Sequence, residues 1–324
     1  MIRRRALITT LAAGCLAAGF AGSVLAQTYP SQPVRLVLPY TAGSPNDVVA
    51  RLFAPFLSEE LGQPVVVENR PGGGTAVGAN AVLQAEPDGY TLLFSNSPSH
   101  LIAPLITQGF PSEPLKDFKP IATVGASSNG IIISSKLPIK TVQEFVAYAK
   151  AHPGKLNFGY GQGTQPQLVG EMFKMAAGID LANVPYKGGM QAVTDMLGGR
   201  IDINIGAPGT LLKLHQSGKV RMIGYTGTKR NKGMPDIPTM VESGYPSVVS
   251  TTYYGILGRA DLPQEIVDRL NQATAKALKA KGLQDGLDRI LFQPVTMSPQ
   301  DMADLFAKEQ ERWAKVVKAT GFGM

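Results

Sequence analysis

Four times along this chain a run of strand-forming residues ends in a loop of small, uncharged polar residues, and the sequence then reopens with helical periodicity. That recurrence limits the fold more than any other feature. The first instance is Val34-Arg35-Leu36-Val37-Leu38, then Tyr40-Thr41-Ala42-Gly43-Ser44-Pro45-Asn46, then Val48, Val49, Leu52, Phe53, Phe56 and Leu57 at helical spacing up to Gly62. Strands are expected over residues 64–68 and 90–95, with a small-residue helix over 76–85 between them. Strand, loop, helix, strand is the signature of a sheet joined by crossover helices. The pattern restarts with strands over 121–124, 130–134, 156–159, 183–186, 201–205 and 220–225. Helices are expected over 141–151, where Thr141 and Glu144 form a capping box, and over 167–178, 190–197 and 208–216. A β-rich stretch, 251–257, precedes a mainly helical tail with helices over 263–280 and 298–318. The fold class is therefore α/β with mixed sheets, crossover helices and a helical C-terminal tail. Two lobes are expected, residues 27–125 with 251–324 forming one and 126–250 the other.

The N-terminus stands apart from this pattern. Arg3, Arg4 and Arg5 precede an apolar run that ends Val24-Leu25-Ala26, with small residues at the −3 and −1 positions of a cut after Ala26. This is the layout of a secretory signal peptide over residues 1–26, so an exported, periplasmic protein is expected. A membrane anchor fits less well, because the run carries several Gly and Thr and ends at a cleavable site. The arginines also suit twin-arginine export, and Leu11-Ala12-Ala13-Gly14-Cys15 resembles a lipoprotein box. Cys15 is the sole cysteine, so the remainder can have no disulfide, thiol nucleophile or cysteine metal site.

The four loops carry the functional signal. They are residues 40–46, Ser95-Asn96-Ser97-Pro98-Ser99, Gly159-Tyr160-Gly161-Gln162-Gly163-Thr164-Gln165 and Gly206-Ala207-Pro208-Gly209-Thr210. In an α/β sheet such loops gather at the carboxyl ends of the strands, where ligands bind. A helix N-terminus there offers unpaired N–H groups and partial positive charge, which together hold an anion. Ser44, Asn46, Ser97 and Thr164 could each merely cap their own helices; four such loops in register point instead to a shared anion site.

Enzymatic chemistry finds no players. His100, His152 and His215 are the only histidines, and none is spaced for metal ligation with another ligand type. No acidic pair sits in the four loops. Asp47, at a helix start, suits capping or dipole compensation rather than a base. Gly72-Gly73-Gly74 lacks the Gly-Lys-Ser/Thr of a phosphate loop and the spacing of a dinucleotide fingerprint, and no Gly-x-Ser-x-Gly elbow is present. No cofactor, metal or catalytic residue is expected. Basic residues number 31 against 24 acidic, three of them in the leader. They are scattered without interleaved aromatics, which argues against a nucleic-acid partner.

Several stretches resemble one family. They are Tyr29-Pro30-Ser31-Gln32-Pro33-Val34-Arg35, Pro39-Tyr40-Thr41-Ala42-Gly43-Ser44-Pro45-Asn46-Asp47, Val66-Val67-Glu68-Asn69-Arg70-Pro71-Gly72, Pro87-Asp88-Gly89-Tyr90-Thr91-Leu92-Leu93, Val184-Pro185-Tyr186-Lys187-Gly188-Gly189 and Pro235-Asp236-Ile237-Pro238-Thr239. In this order they are similar to the Bug family, the solute-binding proteins of tripartite tricarboxylate transporters. The resemblance implies a type II-like, two-lobed periplasmic binding protein fold that closes around a small carboxylate: a dicarboxylate, tricarboxylate, acidic amino acid or aromatic acid. It also implies membrane permease subunits as partners of a monomeric receptor; a sensory binding protein signalling to a membrane sensor is the alternative. Carried over by position, Thr41, Gly43, Ser44, Asn46, Ser95, Asn96 and Ser97 would hold the solute from one lobe. Gly161, Gln162, Thr164, Gln165, Tyr186, Gly206 and Ala207 would hold it from the other. Many members have Asp-Asn where this chain has Gly206-Ala207, which points away from amino-acid ligands. Many also have His where Gln167 stands, and with Tyr160, Tyr186 and Tyr253 a flat or aromatic acid comes into view.

Overall fold

The computed structural model describes residues 29–107, 110 and 112–321. The leader, with Cys15 and the cut after Ala26, lies outside the described residues. The opening run forms β1 (Val34–Leu38), buried at every position but Arg35, as a central strand covered on both faces must be. α1 (Pro45–Leu61) follows, started by Ser44, whose hydroxyl accepts from Asp47 N–H, and stopped by Gly62 in the left-handed region. β2 (Val65–Asn69), α2 (Ala76–Leu83) and β3 (Thr91–Asn96) complete the first crossover unit, with β2 and β3 flanking β1 in parallel.

After β3 the chain makes a π-helical turn, Pro98–Ile102, then two short helices, α3 (Ala103–Ile106) and α4 (Pro114–Asp117). It enters β4 (Phe118–Ser128), a strand far longer than the expected 121–124. Asn129 alone separates β4 from β5 (Gly130–Ser134), the first strand of a second sheet. α5 (Val142–Ala151), β6 (Asn157–Gly161), α6 (Gln165–Ala177), β7 (Ala182–Tyr186), α7 (Gly189–Leu197), β8 (Ile203–Gly206), α8 (Pro208–Gln216) and β9 (Val220–Tyr225) belong to that second body. Pro185 is accommodated because β7 is an edge strand. The chain returns through β10 (Thr251–Arg259), α9 (Gln264–Ala277), α10 (Lys281–Asp288), the two-residue β11 (Gln293–Pro294) and α11 (Pro299–Thr320).

The sheet orders are β11-β4-β10-β3-β1-β2 and β7-β6-β8-β5-β9. Both are mixed, since β10 runs antiparallel to β3 and β4 and β5 antiparallel to β8 and β9. β4 and β10 thus carry the chain out of the first sheet and back into it side by side. One core fills the space between the first sheet and α1, α9 and α10, around Phe53, Phe94 and Leu270. On the other face of that sheet lies a core around Trp313 and Phe306 of α11 that also takes in Leu168 and Met172 of α6. The tail helix therefore rests on both bodies, not on the first alone.

Candidate functional site

A cleft of about 520 Å³ opens between the two sheets, within the range of small-molecule sites. Its walls come from the carboxyl ends of the strands. The start of α1 (Pro45, Asn46), the end of β3 (Asn96, Ser99) and the loop before α2 (Gly74, Thr75) supply one side. The loop into α6 (Gly161, Gly163, Thr164, Gln165) and the starts of α7 (Gly189, Met190) and α8 (Ala207, Thr210) supply the other. The crossing strands close the back with Ser127, Asn129, Thr252 and Tyr254. Among the described residues no Asp, Glu, Lys, Arg or His lines this cleft.

On the first side the polar groups are locked to one another. Tyr40 Oη donates to Asn96 Oδ1 at 2.9 Å, and Asn96 Nδ2 donates to Asn46 Oδ1 at 2.6 Å. Ser99 N–H donates to Asn96 Oδ1 at 3.0 Å. Burial pushes the Tyr40 phenol up to about 12, so it is a neutral donor at any working pH. Asn46, which accepts through its side-chain carbonyl, is itself part of the cleft wall. Asp47, one residue on, is turned away: its carboxylate takes the Gly43 N–H at 2.9 Å, Asn69 Nδ2 at 2.9 Å and Arg51 Nε at 3.0 Å. Burial would raise its pKa, but the Arg51 pairing and these hydrogen bonds hold it below the usual carboxylate range. That is the capping and charge-compensating role its position implied.

On the second side Gln165 opens α6 and is 6% exposed. Its Oε1 accepts from Thr252 Oγ1 at 2.8 Å and from Asn129 Nδ2 at 3.4 Å, which joins α6 to the crossing strands. Its Nε2 is buried with no hydrogen-bond partner. A buried amide carrying two unused N–H groups costs about 1–3 kcal/mol, and here it lies in a cleft wall rather than in a core. Around it α6, α7 and α8 begin, and the first N–H groups of a helix have no intrahelical acceptor. An uncharged cleft edged by unpaired donors attracts a hydrogen-bond acceptor, and an anion most strongly.

Of the residues expected from the sequence, the fold brings Asn46, Asn96, Gly161, Thr164, Gln165, Gly206 and Ala207 together in this cleft. The others stand elsewhere. Thr41 and Gly43 are exposed on the outer part of their loop, where the Thr41 carbonyl accepts Ser44 N–H, and Ser44 is spent on capping α1. Ser95 Oγ pairs with Ser99 Oγ at 2.8 Å. Ser97 is fully buried and its hydroxyl accepts Tyr253 N–H, stitching β10 to the turn after β3. Gln162 points to solvent, with its N–H on the Tyr186 carbonyl, and Tyr186 Oη donates to Asp195. Thr164 does not cap α6; its hydroxyl donates to Gly161 O at 2.6 Å. Gln167, at the position where many Bug proteins carry His, accepts Gly163 N–H at 2.9 Å.

Sequence reasoning missed Gly74-Thr75, Ile102 to Thr107, Asn129, Asn204 and Thr252. Gly74-Thr75 carried a usable signal, since it follows a strand and opens a helix as the four chosen loops do. Asn129 and Thr252 carried no local signal, because their place depends on how two distant strands cross.

A family model described as tripartite tricarboxylate transporter family receptor matches residues 49–322. BugT of Bordetella pertussis is 34% identical over 306 residues, spanning 94% of each chain. The solved periplasmic binding protein BugD superposes with a TM-score of 0.78 at 31% identity, covering 91% of this chain and 99% of its own. A Rhodopseudomonas palustris protein, Rpa4515, solved with adipate, superposes with a TM-score of 0.80 at 31% identity, covering 90% of this chain and 98% of its own. The matched family is one of transporter receptors and BugD is a periplasmic binding protein, so the role these comparisons give is binding and not catalysis. The α/β fold with two mixed sheets is that of periplasmic binding proteins, and the chain belongs to the receptor family of tripartite tricarboxylate transporters.

Proposed function

We propose that this receptor captures a small carboxylate between its two lobes, residues 27–125 with 251–324 and residues 126–250, and delivers it to the membrane permease of a tripartite transporter. It acts as a monomer in the periplasm once the leader is removed after Ala26. The observation that carries this reading is the buried, unpartnered Nε2 of Gln165 in a cleft that no charged side chain lines among the described residues. A carboxylate offers the acceptor that this amide lacks, and it needs no counter-charge where several amide donors converge. The adipate held by the Rhodopseudomonas relative supports the same ligand chemistry.

Gln165→Glu tests it. Glutamate keeps an acceptor oxygen for Thr252 and Asn129 but replaces the two donors with negative charge. Calorimetric titration of the mature protein with adipate should show binding, and the variant should bind at least about tenfold more weakly, the loss expected for a charge-assisted hydrogen bond. Equal affinity in the two proteins would remove Gln165 from the site and the carboxylate from its proposed place.

A further inference from the structure

Gln165 reaches the cleft wall on a long side chain whose last torsion is broad and nearly two-fold. Turned one way, its amide offers two N–H donors to the cleft; turned over, it offers a carbonyl, which repels a carboxylate. The orientation is decided by whatever holds Oε1, and that is chiefly Thr252 Oγ1 at 2.8 Å. Asn129 Nδ2, at 3.4 Å, is too distant for a strong bond, but as a donor it selects the oxygen over the nitrogen. Thr252 is itself fixed without help from α6. It pairs with Ser127 across β10 and β4. Its neighbours are pinned as well: the Thr251 hydroxyl meets Ser128 Oγ at 3.1 Å, and Tyr253 N–H donates to Ser97 Oγ at 3.1 Å. Threonine is branched at Cβ and stiff at χ1, so this hydroxyl is a fixed post beside a mobile amide.

Resting on the carboxylate reading above, we propose that Thr252 is a positioning residue: it acts through Gln165, and its hydroxyl holds that amide with the nitrogen turned to the solute. The bond passes from a strand of the first sheet to a helix of the second body. The donor is therefore presented only while β10 and α6 stay within hydrogen-bond reach of each other.

The test is a double-mutant cycle on the mature receptor, titrated calorimetrically with adipate. Thr252→Val keeps the shape and suits a strand but removes the donor. It should weaken binding about three- to tenfold, the worth of one hydrogen bond. Thr252→Ser restores the hydroxyl and should bind within about twofold of the parent. In Gln165→Met, which keeps the length and loses the amide, adding Thr252→Val should cost nothing further, an outcome that a merely structural threonine would not give. A spectroscopic arm needs no solute. The side-chain amide signal of Gln165 in nitrogen-labelled protein, identified by its loss in Gln165→Met, should move in Thr252→Val and largely return in Thr252→Ser. Equal affinity in the parent and Thr252→Val, no rescue by serine, a full valine penalty without the amide, or an amide signal indifferent to Thr252→Val overturns the positioning role and leaves the carboxylate reading standing. A parent that binds no adipate overturns the carboxylate reading, and the amide signal then decides the positioning role by itself.

Discussion

At the scale of single residues, neighbouring polar side chains in this protein have opposite assignments. Asn46, Asn96 and Tyr40 fix one another, Ser97 holds a strand, and Gln165, in the cleft wall, keeps a buried amide nitrogen without a hydrogen-bond partner. His100 belongs to the structural group. It is buried between the rings of Phe118 and Phe306, at centroid distances of 5.6 and 5.5 Å. Burial depresses its pKa to about 3, opposed in part by the Pro114 backbone. Its folded pKa lies below the unfolded value of about 6.5, so the unfolded chain takes up a proton first as pH falls. The stability this neutral imidazole contributes is therefore fully present above about pH 6.5 and is lost on acidification towards pH 3. The slope approaches about 1.4 kcal/mol per pH unit within that window. Melting curves between pH 7 and 4 should show the decline, and His100→Phe should flatten it. A variant that declines as steeply as the parent would assign the acid sensitivity to other groups.

At the scale of elements, most of the fold was legible because strands and helices here follow simple periodicity. β9 lies where the apolar run at 220–225 put it, and α11 begins at the expected Ser298 cap. The misses have local causes. α6 starts at Gln165 instead of 167 because Pro166 occupies the first turn, where a missing N–H costs nothing. α10 escapes the sequence pattern because Gly282 and Gly286 lower its propensity; Leu283 and Leu287, fully buried, form it nonetheless. β4 outran expectation because its partner β10 lies far away in sequence and pairs with it through register shifts that no local pattern announces. Of the expected loop residues, Asn46, Asn96, Gly161, Thr164, Gln165, Gly206 and Ala207 line the cleft and Thr41, Gly43, Ser44, Ser95, Ser97, Gln162 and Tyr186 do not, while the lining residues of the crossing strands have no local pattern to reveal them. One contact between elements makes a test. A Cβ on Gly209 would sit 2.7 Å from the Ile290 carbonyl, in the turn where Leu291 has φ 57° and its carbonyl accepts from Asn231 at 3.2 Å. Helix propensity alone would make Gly209→Ala stabilising, by at most about 1 kcal/mol. The backbone clash should reverse the sign, costing about 1–3 kcal/mol. It should also weaken solute binding, because Ala207, Thr210 and Leu211 of the same segment line the cleft. A higher melting temperature with unchanged affinity would show that the turn yields freely.

At the scale of the whole molecule, the proposed capture mechanism requires the two sheets to approach, and the topology dictates where that motion is absorbed. The chain passes between the sheets at Asn129 and again between Tyr225 and Thr251. The second passage is fastened by Thr226, whose hydroxyl accepts Asn129 N–H at 2.8 Å and donates to Ser250 O at 2.8 Å. Behind the cleft, α11 spans both bodies: Trp313 shares a core with Leu168 and Met172 of α6, and Arg312 donates to the Val249 carbonyl while lying over the Trp313 ring. α6 thus has its first residue in the cleft and its flank on α11, so a solute that draws Gln165 inward must tilt α6 against that core. Trp313 is the sole tryptophan of the chain, is fully buried and does not line the cleft. Its fluorescence is therefore a reporter of lobe movement that the solute cannot touch directly. A carboxylate that saturates the receptor should reduce the radius of gyration in solution scattering and alter Trp313 emission, both with the midpoint found by calorimetry. In Gln165→Glu both responses should shift to higher solute concentration together. A radius and an emission that stay constant through saturation would mean that the cleft fills without closing, and that the shared core behind it is a rigid buttress instead of a bearing.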